Sequence, residues 1–214
     1  MTNGYKKPNL KSLYFDDEVQ KISSLQGKTI AITGTTTGIG FVAARTVANK
    51  GARAVLLNRK SERSKSSYHQ LKKENPGANI VNIECDLQSF DSVRKAALRV
   101  IDLCQDGLDS LCNNAGIMAL KDEATVDGFD VQMQTNHLSH FLLTKELLPL
   151  LKTAAELRGD ARVVNHSSIA RYGDKKLKTK YFDKRGGDLG GDGSNMILAS
   201  LTRKGRWARY SQTK

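Results

Sequence analysis

A β-rich run, Lys28-Thr-Ile-Ala-Ile-Thr33, passes directly into the turn Gly34-Thr-Thr-Thr-Gly38-Ile39-Gly40. From Ile39 to Ala54 the apolar residues Val42, Ala43, Ala44, Val47 and Ala48 then recur at helical spacing. Strand, glycine turn, helix is the opening unit, and the chain repeats it. Ala54-Val-Leu-Leu57 precedes a polar helix expected over 61–75, and Asn79-Ile-Val-Asn-Ile-Glu84 precedes an amphipathic stretch over 90–104. Leu108-Asp-Ser-Leu-Cys-Asn113 is a fourth strand, 127–152 a long helix kinked or ended at Pro149, and Ala161-Arg-Val-Val-Asn-His166 a fifth strand. Strands alternating with helices in this way require a parallel sheet covered on both faces, so the expected fold is an open, doubly wound α/β domain.

The 214 residues, 39% hydrophobic and 26% charged, suit one such globular domain. Apolar runs are interrupted at Lys145 and Lys152, short of the roughly 18 apolar residues of a membrane-crossing helix. The formal charge of +12 invites a polyanion partner, but its distribution argues otherwise. Residues 29–170 carry 17 basic and 15 acidic side chains, whereas 171–214 carry 12 and four. A nearly neutral body with a basic C-terminal fifth is not the even basic face of a duplex-binding domain, and no nucleic-acid partner is expected. Cys85, Cys104 and Cys112 form no CxxC pair and make an odd count, so neither a disulfide framework nor a zinc site is suggested, and no metal is expected. The first residues show no apolar signal core, and Asp16-Asp17-Glu18 argues against a transit peptide, so the reading favours a cytoplasmic protein.

Glycines at a strand-to-helix turn let the backbone approach a pyrophosphate, while the helix N-terminus offers unpaired N–H groups and the positive end of its dipole. The spacing here is Gly-x-x-x-Gly-x-Gly. Asn113-Asn114-Ala115-Gly116 ends the fourth strand, Thr135-Asn136-His137-Leu138 lies in the next helix, Ser167-Ser168 follows the fifth strand, and Tyr210-Ser-Gln-Thr-Lys214 closes the chain. In that order these motifs resemble the short-chain dehydrogenase/reductase family over residues 27–170 and 207–214. Cys85-Asp86-Leu87, Asn114-Ala-Gly-Ile117 and Thr135-Asn-His-Leu-Ser-His-Phe141 are most similar to its retinol-dehydrogenase and WW-domain-oxidoreductase branch. The resemblance implies a Rossmann-type sheet and a nucleotide bound by Gly34, Thr36, Thr37, Gly38, Ile39 and Gly40. Asp86 and Leu87 are implied at the adenine, and Asn114, Ala115 and Gly116 near the adenosine ribose.

At Asn58, NAD-preferring members carry a carboxylate for the ribose diol. That carboxylate is missing here and Arg59 follows, a guanidinium able to pair with a 2′-phosphate, so NADP(H) is expected over NAD(H). The resemblance also implies a catalytic set of Asn136, Ser168, Tyr210 and Lys214. Tyr210 and Lys214 are four apart, hence on one face of a helix, where the ammonium lowers the tyrosine pKa from about 10. Tyr210 is then general acid or base, Ser168 polarises the substrate carbonyl, Asn136 anchors a relay water, and Lys214 reaches the nicotinamide ribose. His137, His140 and His166 lack partners at metal spacing and read as packing or rim residues.

Two features depart from the family pattern. Ser168 and Tyr210 are 42 positions apart, and the intervening 171–206 is basic and holds seven glycines. Such an insertion borders the substrate site, where it can shape specificity or offer its charge to a membrane surface. The chain also stops at the motif lysine, where family members continue, which implies a fragment of a longer protein with its domain incomplete at the C-terminal side. Residues 1–26 read as an N-terminal arm and 27–214 as the nucleotide-binding domain. The expected activity is hydride transfer between NADP(H) and a carbonyl or alcohol on a lipophilic small molecule, with a homo-oligomer compatible. Alternatives are a light-dependent protochlorophyllide-reductase-like enzyme and a non-catalytic nucleotide sensor or scaffold.

Overall fold

A computed structural model of the chain describes residues 12–173, 176–184 and 203–213. Lys214 and most of the glycine-rich part of the insertion lie outside the described residues. The strands are β1 (Thr29–Thr33), β2 (Arg53–Asn58), β3 (Ile80–Glu84), β4 (Ser110–Asn113) and β5 (Arg162–Asn165), and they form one parallel sheet of order β3-β2-β1-β4-β5. The expected doubly wound fold is present. Ile30 of β1 pairs in register with Ala54 of β2 on one side and Ser110 of β4 on the other.

Alternation along the central strands divides the core into two layers. Ile30, Ile32, Ala54 and Leu56 face α2 (Gly38–Asn49) and α3 (Glu62–Glu74), meeting Ala44, Ala48 and Leu71. Ala31, Val55, Leu57 and Leu111 face the opposite way, against α4 (Phe90–Leu103), which supplies Val93, Ala97 and Val100, and a long helix that supplies Leu143, Leu147 and Leu151. Buried on both faces, these strands read as continuous apolar runs. α1 (Phe15–Lys21) precedes β1 and buries none of its residues.

The long helix differs from expectation at both ends. It begins as a single helical turn, α5 (Val131–Met133), widens into a π-helical segment, Gln134–Leu138, and continues as α6 (Ser139–Arg158). Pro149 neither ends it nor marks its boundary; the helix runs nine residues further and closes on Gly159 in the left-handed region. Pro149 and Lys145 are both exposed, so the carbonyl deprived of its helical partner is left to water rather than buried unsatisfied. β5 lies at the edge of the sheet with all four residues exposed.

Asp109, just before β4, fastens the starting edge of the sheet. Its carboxylate accepts from the Thr29 backbone N–H at 2.8 Å and pairs with Arg158 at the end of α6, Nε at 2.7 Å and Nη2 at 3.1 Å. Asp109→Ala strands a buried N–H and a guanidinium together, and is expected to lower the unfolding free energy by about 2–3 kcal/mol. Asp160→Ala removes only the exposed pair with Arg162 and should change stability by less than about 0.5 kcal/mol. Urea unfolding followed by circular dichroism checks both.

Candidate functional site

In a doubly wound sheet, ligands bind where the strand order reverses, at the carboxyl ends of the strands. Here that point lies between β1 and β4. Of the positions expected to bind a nucleotide, all but Gly38, Tyr210 and Lys214 line one cleft of about 660 Å³ at this point. Gly38 opens α2 with φ of +60°, and a Cβ there would meet no atom within 4 Å.

The glycines of the turn answer to close approach. Gly34 has φ of +70°, and a Cβ on it would stand 2.8 Å from Ala115 Cα. A Cβ on Gly40 would collide with the Gly34 carbonyl and the Asn114 side-chain amide. Backbone from β1 and from the segment after β4 is therefore in contact across the floor of the cleft. Ser61 caps α3 and Ser89 caps α4 with side-chain oxygens that accept from Ser64 and Ser92 N–H. Thr37, at the start of α2, makes no such bond. The first turn of α2 therefore presents N–H groups to the cleft without a side-chain partner at the N-cap, the arrangement that receives an anion.

Thr33, which motif reading passes over, organises this floor. Its hydroxyl is fully buried and accepts from the backbone N–H of Asn114 at 3.0 Å and of Ala115 at 2.9 Å. His140 Nε2 lies 2.9 Å away, and His140 Nδ1 lies 3.0 Å from the Asn136 carbonyl oxygen. A carbonyl partner assigns the proton to Nδ1, leaving Nε2 to accept from the Thr33 hydroxyl. His140 is thus a buried joint between β1 and the π-helical segment. His137 sets its ring edge against Phe182, and burial lowers its pKa. Among the described residues no cluster suited to a metal ion occurs.

Asn58 lines the cleft, yet its amide serves the turn. Oδ1 accepts from Thr35 N–H, while Nδ2 donates to Thr35 Oγ1 and to Asn82 Oδ1, and the residue is 4% exposed. Arg59 beside it is exposed. Arg63 and Ser61, not singled out from sequence, line the same cleft, as do Thr135 and His166. Arg63 lies in the first turn of α3, four positions beyond Arg59, a spacing that charge alone does not distinguish from an ordinary surface residue. Asp86 Oδ1 accepts from Gln88 N–H at 2.9 Å. Burial, reinforced by neighbouring Asp86, pushes the Cys85 thiol up to about 12, so it forms an uncharged wall and not a nucleophile.

Three of the four residues expected to carry chemistry are described, and the fold gathers the segments that bear them. α7 (Arg203–Ser211) carries Tyr210, 8% exposed, its ring edge-on to Trp207 at 5.8 Å. α7 is described to Ser211, with Gln212-Thr213 in a turn after it; Lys214 lies outside the described residues, and with it the expected face shared with Tyr210. Ser168, half-buried, accepts through Oγ from Ala170 N–H and leads into the 3-10 turn Ile169–Gly173, which packs on α7 despite the long intervening sequence. Asn136 accepts from Ile117 N–H and donates to Ile117 O and, at 2.8 Å, to Thr213 Oγ1. Asp130, which caps α5, is buried with Arg209 of α7; burial raises its carboxyl, against the opposing effect of the Met133 N–H and Arg209.

Residues 28–181 match the family model for short chain dehydrogenases. An uncharacterised oxidoreductase of Schizosaccharomyces pombe is 43% identical over 195 residues, 90% of this chain and 53% of that protein. Human retinol dehydrogenase 13 is 36% identical over 148 residues, 69% of this chain and 43% of that protein. The chain thus spans about half the length of the curated relatives it matches. Among solved structures, the Pseudomonas aeruginosa RhlG/NADP active-site complex aligns with a TM-score of 0.59 and 31% identity, covering 72% of this chain and 58% of that one. With its strand order, its glycine turn and its β4 motif all in place, the chain belongs to the short-chain dehydrogenase family.

Proposed function

We propose that this chain carries the nucleotide cradle and the proton-transfer residues of an NADP(H)-dependent oxidoreductase acting on carbonyl or alcohol groups of lipophilic small molecules. The observation that carries the reading is the cleft at the strand-order reversal, where the first turn of α2 meets a floor that only glycines permit. A pyrophosphate fits that chemistry. Gly34 to Gly40 would hold it through backbone N–H groups, Asp86 would accept from the adenine amino group, and Asn114 to Gly116 would pass close to the adenosine ribose. Arg59 and Arg63, both lining the cleft without a carboxylate at Asn58, suit a 2′-phosphate. RhlG, 31% identical, is described with NADP, which supports this preference.

When bound, the nicotinamide supplies or accepts the hydride. The residues of this chain supply orientation and the proton. Tyr210 gives its phenolic proton to the carbonyl oxygen in reduction and takes the alcohol proton in oxidation, while Ser168 donates a hydrogen bond to the same oxygen. Lys214, outside the described residues, would hold the nicotinamide ribose and stabilise the phenolate, as the family resemblance implies. Asn136, joined to Thr213 beside that lysine, holds this end of the relay. Retinol dehydrogenase relatives support a lipophilic substrate, as do Ile169 and Tyr172, exposed in the turn after Ser168.

Two measurements test the proposal. With NADPH and a panel of all-trans-retinal, nonanal and a steroid ketone, Tyr210→Phe is expected to lower kcat by about 10²-fold or more while the NADPH Kd, read by fluorescence titration, stays within about twofold. Arg59→Ser removes a charge-assisted pair and is expected to weaken NADPH binding by about 10- to 100-fold and NADH binding by less than about threefold. Equal losses for both nucleotides would show that Arg59 does not read the 2′-phosphate.

A further inference from the structure

Arg209 and Asp130 form an ion pair in which both side chains are fully removed from solvent, with Nε 3.3 Å from Oδ2. Arg209 Nη2 donates to the Leu120 carbonyl at 2.9 Å. The other oxygen of Asp130 accepts from Gln132 and Met133 N–H, at 3.0 and 2.8 Å, and so opens α5. The pair is not arranged for greatest stability, since Arg209 Nε and Nη1 and Asp130 Oδ2 make no well-formed hydrogen bond. Buried pairs of this kind rarely stabilise more than an apolar replacement of similar volume, whereas they do fix how two elements register against each other.

What they register is the helix that carries Tyr210. Arg209 is its immediate neighbour in α7. Four residues along, Thr213 Oγ1 accepts from Asn136 Nδ2 and donates back to the Tyr210 carbonyl, each at 2.8 Å. Tyr210 is therefore bracketed by two tethers, at 209 and at 213, and both end on the segment 130–136. That segment also supplies Thr135 to the cleft and, through His140, meets the Thr33 hydroxyl on the cleft floor. A slide of α7 by one residue is about 1.5 Å, enough to take a proton donor out of reach of its acceptor.

We propose that the Arg209–Asp130 pair is a positioning device that sets the depth and register of the Tyr210 hydroxyl relative to the nucleotide cleft. The inference rests on the reading of Tyr210 as the proton-transfer group. It assigns Arg209 and Asp130 no contact with substrate or nucleotide; they act through α7.

The test is the double substitution Arg209→Met with Asp130→Asn, which removes both charges and keeps an oxygen to cap α5. Trp207, the only tryptophan in the chain, lies against the Tyr210 ring and reports the placement of α7 without any turnover. The double variant is expected to keep its melting temperature and its NADPH KM, to lose about 10- to 100-fold in kcat for nonanal reduction, and to shift the Trp207 emission. Arg209→Lys, which keeps the charge without the fork, should recover part of both. Parental kcat with parental Trp207 emission overturns the proposal, as does a fall in kcat accompanied by unchanged emission. A kcat loss that merely tracks a lowered melting temperature makes the pair a stabilising one and also overturns it. Tyr210→Phe, measured in parallel, separates the two readings: turnover that survives it refutes the role of Tyr210, whereas the emission response of the clasp variants stands independently of that role.

Discussion

The buried hydroxyl of Thr33 is the contact on which the rest of the site depends. It stands where the sheet reverses its winding, accepts from two successive backbone N–H groups of the neighbouring strand's exit, and meets the imidazole of His140. Those two N–H groups belong to Asn114 and Ala115, the latter close enough to Gly34 to forbid any side chain there. One oxygen atom thus ties the exit of β4 to the end of β1 on the floor of the cleft. Through His140 the same atom is linked to the Asn136 carbonyl, and Asn136 in turn to Thr213, so the floor of the cleft and the end of α7 share one buried hydrogen-bonded chain.

The alternation of strand and helix and the glycine spacing were legible in the residues because both are local signals. Period, turn chemistry and the order of motifs along the chain place the five strands within two residues, and the helices Glu62–Glu74 and Phe90–Leu103 within one, whereas the helix after the glycine turn ends at Asn49, short of Ala54, and the long helix starts four residues later and runs six residues further than its apolar pattern suggests. Pro149 does not end the helix, because its cost depends on whether the abandoned carbonyl is buried, a tertiary fact; in α6 both Lys145 and Pro149 are exposed. The π-helical turn at Gln134–Leu138 is equally silent in the sequence, since its single inserted residue alters no apolar period strongly enough to be read. Arg209 looks like one more charge in a basic tail until its partner, 79 positions earlier, is brought beside it. Long-range polar pairing of this kind leaves no periodic trace.

Two buried carboxylates fasten opposite edges of the molecule. Asp109 works at the starting ends of β1 and β4 and joins them to the last turn of α6. Asp130 works at the other end of the same helical run, where α5 begins and α7 docks. Their environments differ in a way that suits their tasks. Asp109 has its lone pairs taken by a backbone N–H and a forked guanidinium, as a structural anchor requires, whereas Asp130 keeps one oxygen in an ion pair of looser geometry beside the helix that carries Tyr210. The neutral body inferred from the charge count therefore conceals buried acid–base partners where the fold needs direction rather than solubility.

Asn58 carries a consequence for how such a chain diverges over time. Its amide both accepts and donates, and all of that capacity is spent on Thr35 and Asn82. An aspartate at this site could still accept from the Thr35 N–H and hydroxyl, but it would have no proton for Asn82 Oδ1, whose amide would have to turn over and leave Ser64 Oγ. A change at position 58 is in this way tied to the packing of β3 and α3 behind the cleft. Arg59 beside it is exposed and stands outside that network, so variation is open at one cleft position and obstructed at its neighbour.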